Sequence, residues 1–429
     1  MEYVIIGNSA AGIFAAETIR GIDRKGNIIM VSAEAETPYS RCLTSYLISG
    51  SIKEKQIFIR PSKYYRELAV QPILGTTVVG IDVGSRELYL SNGNSLIYDR
   101  LLIATGASPY KPPIPGIAAE GVYFLRTLSD AKQIEQAIPS AKQAVVIGGG
   151  LVGLKAAKAL RIRGLQVAIV EYFSHLMPQA LDMDGAAFLH EMLEQEGYSI
   201  YLNTKVEKIS TSENGEKKGL QVTGVELTGG QTVPCQMVIV AAGVTPNTGF
   251  LNGSEIQVNR GIPVNEYMQT NVPDIYAAGD VAETFDPLWE QYRINAVWPC
   301  ATMQGQVAGC NMAGVKRKYH GSFGMNSAEF YGLPIISAGI TQLQPDCQEY
   351  VRKEPGLYRK LVTRRNRLVG FITIGDVHGA GVLTGLMQKG TDISGITESL
   401  LNHPLSYASA CQTSLRPLSM TGKEADHGL

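Results

Sequence analysis

The sequence predicts an α/β protein that contains two βαβ units of one design and ends in an α+β region. Three observations predict this. Residues 3–34 and 143–171 each run from a β-branched strand through a glycine-rich turn and a helix-period stretch to a second apolar strand ending in an acid. Buried-type strands recur at 98–103, 237–241 and 274–278. From about residue 320 the pattern changes to short strands separated by turns.

In the first unit, residues 3–6 form a strand, Gly7-Asn8-Ser9-Ala10-Ala11-Gly12 the turn, residues 13–20 a helix and residues 28–31 the second strand, leading to Glu34. The turn follows G-x-G-x-x-G with Ser9 in place of the middle glycine, a residue small enough for close backbone approach. The second unit carries the full pattern in Gly148-Gly149-Gly150-Leu151-Val152-Gly153. Gly148 makes the tight turn, Gly150 lets the backbone approach a pyrophosphate, and Gly153 lets the helix pack on the sheet, while the helix N-terminus offers free N–H groups to phosphates. Glu171 lies eighteen residues past Gly153, and Glu34 twenty-two past Gly12, where an acid is expected to bond ribose hydroxyls. Residues 172–175 bring no Lys or Arg, so the second site is expected to take NADH in preference to NADPH. Two such units in one chain imply two Rossmann-like dinucleotide-binding domains, one dinucleotide held tightly and one exchanging.

Between and after the units come Ala104-Thr105-Gly106, which breaks a buried strand, and a Pro-rich stretch at 108–116 that reads as a stiff crossing. Residues 212–219 read as a solvated hairpin tip without function. A strand at 237–241 ends in a turn at Gly243, Ala277-Ala278-Gly279-Asp280 closes a further strand, and residues 298–309 read as a helix start with Pro299 just before it.

With these motifs in this order, residues 1 to about 320 resemble the two-dinucleotide pyridine nucleotide-disulfide oxidoreductase family. The resemblance implies FAD on the N-terminal unit, with Gly7, Ser9, Ala11, Gly12, Glu34, Arg41, Ala104, Thr105, Gly106, Gly279 and Asp280 among the residues that hold it, Asp280 on the ribityl chain. It implies NAD(H) on Gly148, Gly150, Leu151, Val152, Gly153, Glu171 and Gly243. It also implies that the helix carrying Ala301 points its N-terminus at the flavin pyrimidine, where roughly half a positive charge would favour hydride acceptance. The expected plan is an FAD domain in two segments, 1–110 and 243–319, an NAD domain at 111–242, and a C-terminal interface domain at 320–429 that builds a homodimer. In this last region strands are expected at 327–330, 335–340, 358–362 and 368–374 and a helix at 381–387.

Composition narrows the function. A chain of 429 residues, 45% hydrophobic and with net charge -1, is expected to be globular and to bind neither nucleic acid nor membrane. No apolar run approaches the ~20 residues needed to span a bilayer, and a cytoplasmic location is expected. The six cysteines show no iron-sulfur or zinc spacing, so no metal site is expected.

The electron acceptor is the open question. Cys42 lies near where relatives that act as NADH oxidases or as disulfide, coenzyme A-disulfide and persulfide reductases carry a redox thiol, and Arg41 beside it would lower its pKa. Pro38-Tyr39-Ser40-Arg41 resembles instead the P-Y-x-R of rubredoxin reductases, of the NADH-binding part of nitrite reductases and of flavin subunits of anaerobic dehydrogenases, which need no thiol there. Lys155 stands where many relatives have a glutamate, and is expected to hold positive charge near the flavin. Residues 316–367 carry ten Lys and Arg against four Asp and Glu, a basic window suited to an acidic iron-sulfur carrier such as rubredoxin or ferredoxin. The leading expectation is an enzyme passing electrons between NADH and an iron-sulfur protein or dehydrogenase subunit. The alternatives are a Cys42 thiol enzyme and a flavoprotein subunit whose reduction changes its assembly.

Overall fold

A computed structural model describes residues 1–213 and 220–405, in two compact units, the first ending at Asn326 and the second starting at Ser327. The first unit holds two five-stranded parallel sheets of matching design. In one, Glu2–Ile6 pairs on either side with Asn27–Val31 and Arg100–Ile103, and Val70–Ile73 and Ile275–Ala277 complete the edges. In the other, Gln143–Ile147 pairs with Gln166–Val170 and Met237–Val240, and Ser199–Tyr201 and Val122–Phe124 lie outside them. Strands sandwiched this way are expected to be apolar throughout, and Val4, Ile5, Val145 and Val146 are fully buried.

The helix Ala10–Ile22 starts directly after the first glycine turn, and Leu151–Ile162 directly after the second. Trp298–Met312, the longest helix described, packs along Ala10–Ile22 through small residues. A Cβ at Gly305 would fall inside the van der Waals shell of Ala11 O, and one at Gly309 would lie 2.8 Å from Ala15 O. The two backbones therefore approach as closely as glycine allows.

The Pro-rich crossing begins as a strand: Ala107–Pro109 pairs antiparallel with Val244–Pro246, so the chain leaves for the second sheet and returns from it side by side. The hairpin Val206–Glu213 and Leu220–Leu227 pairs antiparallel as far as Glu213 opposite Leu220, with register shifts between Val206 and Lys208 and between Ser210 and Thr211, and the rest of the tip expected at 212–219 lies outside the described residues.

In the second unit a five-stranded antiparallel sheet runs in the order Met325–Phe330, Leu333–Gly339, Arg367–Ile374, Leu357–Arg364, Gln348–Glu354, followed by the helices Ala380–Lys389 and Thr397–Asn402. The edge strand Gln348–Glu354 and the last helix were not among the expected elements. The strand is almost wholly exposed and polar, which blunts an edge against further pairing and leaves no apolar alternation to read. No described helix is long and apolar enough to cross a membrane.

Candidate active site

The two glycine turns share one construction. Gly7 adopts φ +123° and Gly148 φ +112°, values that a side chain disfavours, and a Cβ at either would strike the carbonyl of Ala104 or Ala241 on the neighbouring strand. Gly12 and Gly153 then let each helix start against the turn, since a Cβ on either would overlap the oxygen of Gly7 or Gly148. Ser9 and Gly150 occupy the N-cap positions with extended backbone, and neither caps the helix with a side chain. The first amides of both helices, including those at Ala11, Leu151 and Val152, are thereby left for a ligand. Nothing lies within 4 Å of the side where Gly150 or Gly243 would carry a Cβ.

Around the first turn a polar cluster closes one end of the site. Glu34 accepts from Arg41 Nη2 and from the Tyr39 hydroxyl, which itself accepts from Leu128 N at 2.9 Å. Arg41 Nη1 donates to Arg126 O at 3.1 Å, and Arg126 Nη2 donates to Asp280 Oδ2 at 2.6 Å. Burial opposes the charge on Arg41, yet Tyr39 and Glu34 outweigh it and raise its pKa. Thr105 and Gly106 are tied to Asn247, which donates Nδ2 to Thr105 O at 2.9 Å and N to Gly106 O. Gly279 N donates to Gln304 Oε1 at 2.7 Å, and a Cβ on Gly279 would face Ala11 and Ala301, which places the start of the Trp298–Met312 helix against this loop.

One buried donor in this cradle, Arg126 Nε, lacks a partner among the described residues. A buried orphan of this kind calls for a ligand. Together with the open turn and free helix amides, it fits a dinucleotide that presents phosphate to the turn and hydroxyls to the Arg126–Asp280 end. Arg126, Asn247 and Gln304 were missed as site residues from the sequence, because none belongs to a glycine motif, and Tyr39 was read only as part of P-Y-x-R. Arg126 and Asp280 are 154 positions apart and meet only through the fold.

Glu171 is 5% exposed, with Oε2 accepting from Gly149 N at 2.6 Å and Oε1 from Phe173 N at 2.8 Å. The carboxylate braces the second glycine turn from behind. Tyr172 and Phe173, the next residues, are exposed.

Cys42 is exposed, yet burial around the thiol pushes its pKa up; a Ser40 hydrogen bond and Arg126 oppose this, and Asp280 adds to it. The expectation that Arg41 lowers this pKa is therefore corrected: Arg41 is engaged by Glu34, and the cation that acts on the thiol is Arg126. All five described cysteines are free thiols; the sixth, Cys411, lies outside the described residues. Lys155 Nζ lies 3.3 Å from the Tyr46 hydroxyl and 5.3 Å from the ring centroid, joining the Leu151–Ile162 helix to Thr44–Ile48 just beyond Cys42.

Several cations of the basic window are buried or paired. Arg359 is fully buried and pairs with Asp376 at 2.9 Å, Lys360 with Glu349 at 2.7 Å and Arg364 with Asp346 at 2.7 Å, all inside the second unit. Lys316, Arg317 and Lys318 belong to the first unit and are exposed. No group of three or more His, Cys, Asp or Glu among the described residues is arranged to hold a metal ion.

Residues 1–305 match the family described as pyridine nucleotide-disulphide oxidoreductase, and residues 325–391 match the rubredoxin NAD+ reductase C-terminal domain. The NADH-dependent phenylglyoxylate dehydrogenase subunit epsilon of Aromatoleum evansii is 33% identical over 412 residues, 94% of this chain and 95% of that protein. An NAD-dependent persulfide reductase from A. fulgidus superposes with a TM-score of 0.85 at 26% identity, covering 96% of this chain and 83% of that one. The NADH:rubredoxin oxidoreductase of Clostridium acetobutylicum does so with a TM-score of 0.76 at 26% identity, covering 94% and 99%.

Proposed function

Because this chain belongs to the pyridine nucleotide-disulphide oxidoreductase family, we propose that it moves electrons between NADH and an iron-sulfur protein: a rubredoxin, a ferredoxin or an iron-sulfur dehydrogenase subunit. The family works with FAD and NAD(H). FAD, when bound, takes up hydride as an electron pair and gives electrons up singly or in pairs. One NADH thus reduces two one-electron carriers and releases NAD+ and one proton.

The chain's own residues bind and orient. The Gly7–Gly12 turn and the Ala10–Ile22 helix take the FAD pyrophosphate, and Arg126 and Asp280 fix the chain that leads to the flavin. The second turn and its helix take NADH, with Glu171 holding the turn's shape. Lys155 places a positive charge beside Tyr46, where it favours reduced flavin.

The observation that carries the one-electron reading is the state of Cys42. Its pKa is raised by burial and Arg41 is engaged by Glu34, so the thiolate that sulfur chemistry needs is disfavoured. A thiol reductase is the second reading, supported by the exposure of Cys42 and the likeness to a persulfide reductase. Cys42→Ser separates them. Anaerobic NADH titration is expected to reduce one FAD per NADH in both proteins with no new titratable thiol, and NADH-to-rubredoxin rates are expected to stay within about twofold. Loss of that activity in Cys42→Ser would sink the one-electron reading.

A further inference from the structure

The chain beyond the Trp298–Met312 helix turns at Gly314 and runs back beside it, and between them lies a cleft of about 570 Å³ lined by Met303, Val307 and residues 316–321. Lys316, Arg317, Lys318 and His320 are exposed on its wall, and Met303, at 44% exposed, presents an apolar surface among them. Lys316 and Lys318 sit over the Tyr267 ring at 5.8 and 5.7 Å, and Glu266, 3.3 Å from Lys318, is the acid paired with the cluster. Against three permanent cations this leaves a positive surface with an apolar centre, the composition of a docking site for an acidic protein.

The cleft also lies directly behind the cofactor loop. Tyr319, whose neighbours on both sides are basic and exposed, is itself buried and accepts from Gln304 Nε2 at 3.3 Å. Gln304 in turn accepts from Gly279 N at 2.7 Å, and Gly279 precedes Asp280. Two hydrogen bonds therefore connect the wall of the cleft to the loop assigned to the flavin.

We propose that this cleft is where the acidic one-electron carrier docks, with its negative surface on Lys316, Arg317 and Lys318 and an apolar contact on Met303. The inference rests on the one-electron reading above and adds its partner's docking site.

The test is Lys316→Glu/Lys318→Glu in the full FAD-loaded chain, with Arg24→Glu/Lys25→Glu as a control of equal charge change on another exposed segment. Three rates are measured: flavin reduction by NADH, NADH-dependent reduction of ferricyanide, and NADH-dependent reduction of an acidic rubredoxin and a ferredoxin across a salt series. The expected result is a rise of at least about tenfold in KM for the carrier and a flatter salt dependence in the cleft variant only, with the first two rates unchanged. If the wild-type chain reduces the carrier and the cleft variant does so equally well, the docking site is wrong and the one-electron function stands. If the wild-type chain reduces ferricyanide but neither carrier, the iron-sulfur-carrier reading fails, and the docking site with it.

Discussion

Lys155 illustrates what a single side chain contributes here. It is half-buried on the Leu151–Ile162 helix, and its ammonium rests on the face and hydroxyl of Tyr46, four residues past Cys42. A cation fixed there stabilises negative charge that appears nearby on reduction. Lys155→Gln removes the charge and keeps the length, so the flavin midpoint potential is expected to fall by roughly 15–30 mV, about 0.7–1.4 kcal/mol for a two-electron couple. Equilibration with a reference dye under NADH-free conditions measures this, and an unchanged midpoint would assign Lys155 to helix packing alone. The position of Lys155 was legible in the sequence because it stands at a fixed offset from Gly153; its partner was not, since a tyrosine gives no signal of where its face will be used. Glu171 shows the same division. Its place at the end of the second strand follows from the motif, while its burial against Gly149 N and Phe173 N depends on how residues 172–176 fold over it. Arg126 was invisible for a stronger reason: its partner Asp280 arrives from the far side of the inserted sheet.

At the scale of elements, the pairing of Ala10–Ile22 with Trp298–Met312 sets the shape of the first site, because one helix begins at the glycine turn and the other at the Gly279 loop. Gly305 permits this approach, and Gly305→Ala would drive a methyl into Ala11 O on a backbone that also carries the turn. The cost is expected to be roughly 2–3 kcal/mol. In thermal release of FAD followed by fluorescence, the midpoint should drop by about 3–4 °C. Gly385→Ala provides the contrast: that glycine lies inside the Ala380–Lys389 helix with nothing within 4 Å, so the same change should be neutral or stabilise by about 0.5–1 kcal/mol. Equal losses in both would show that helix contact is not the cause. Elements with a strong period were read from the sequence to within a few residues, as for the strand expected at 3–6 and found at Glu2–Ile6, or the helix expected at 381–387 and found at Ala380–Lys389. Gln348–Glu354 was not, because an exposed edge strand has neither a buried face nor an apolar run.

At the scale of the whole molecule, the charge excess at 316–367 shows why composition cannot locate a surface. Arg359 carries its charge into the interior, donating to Asp376 and to the carbonyls of Leu401 and Asn402, so it staples the last described helix to the sheet and offers nothing to a partner. Lys316, Arg317 and Lys318 lie before Ser327, on the unit that also contains every residue assigned to either dinucleotide. This separation yields a test of the division of labour. A chain ending at Asn326 is expected to keep FAD and to reduce ferricyanide with NADH at a rate within about twofold of the full chain, since no assigned contact is removed. If the second unit builds a homodimer, as the family resemblance implies, the full chain should sediment as a dimer and the shortened one as a monomer. A shortened chain that stays dimeric would move the interface to the first unit. One that is monomeric but loses FAD would mean that assembly, and not the cradle alone, holds the cofactor.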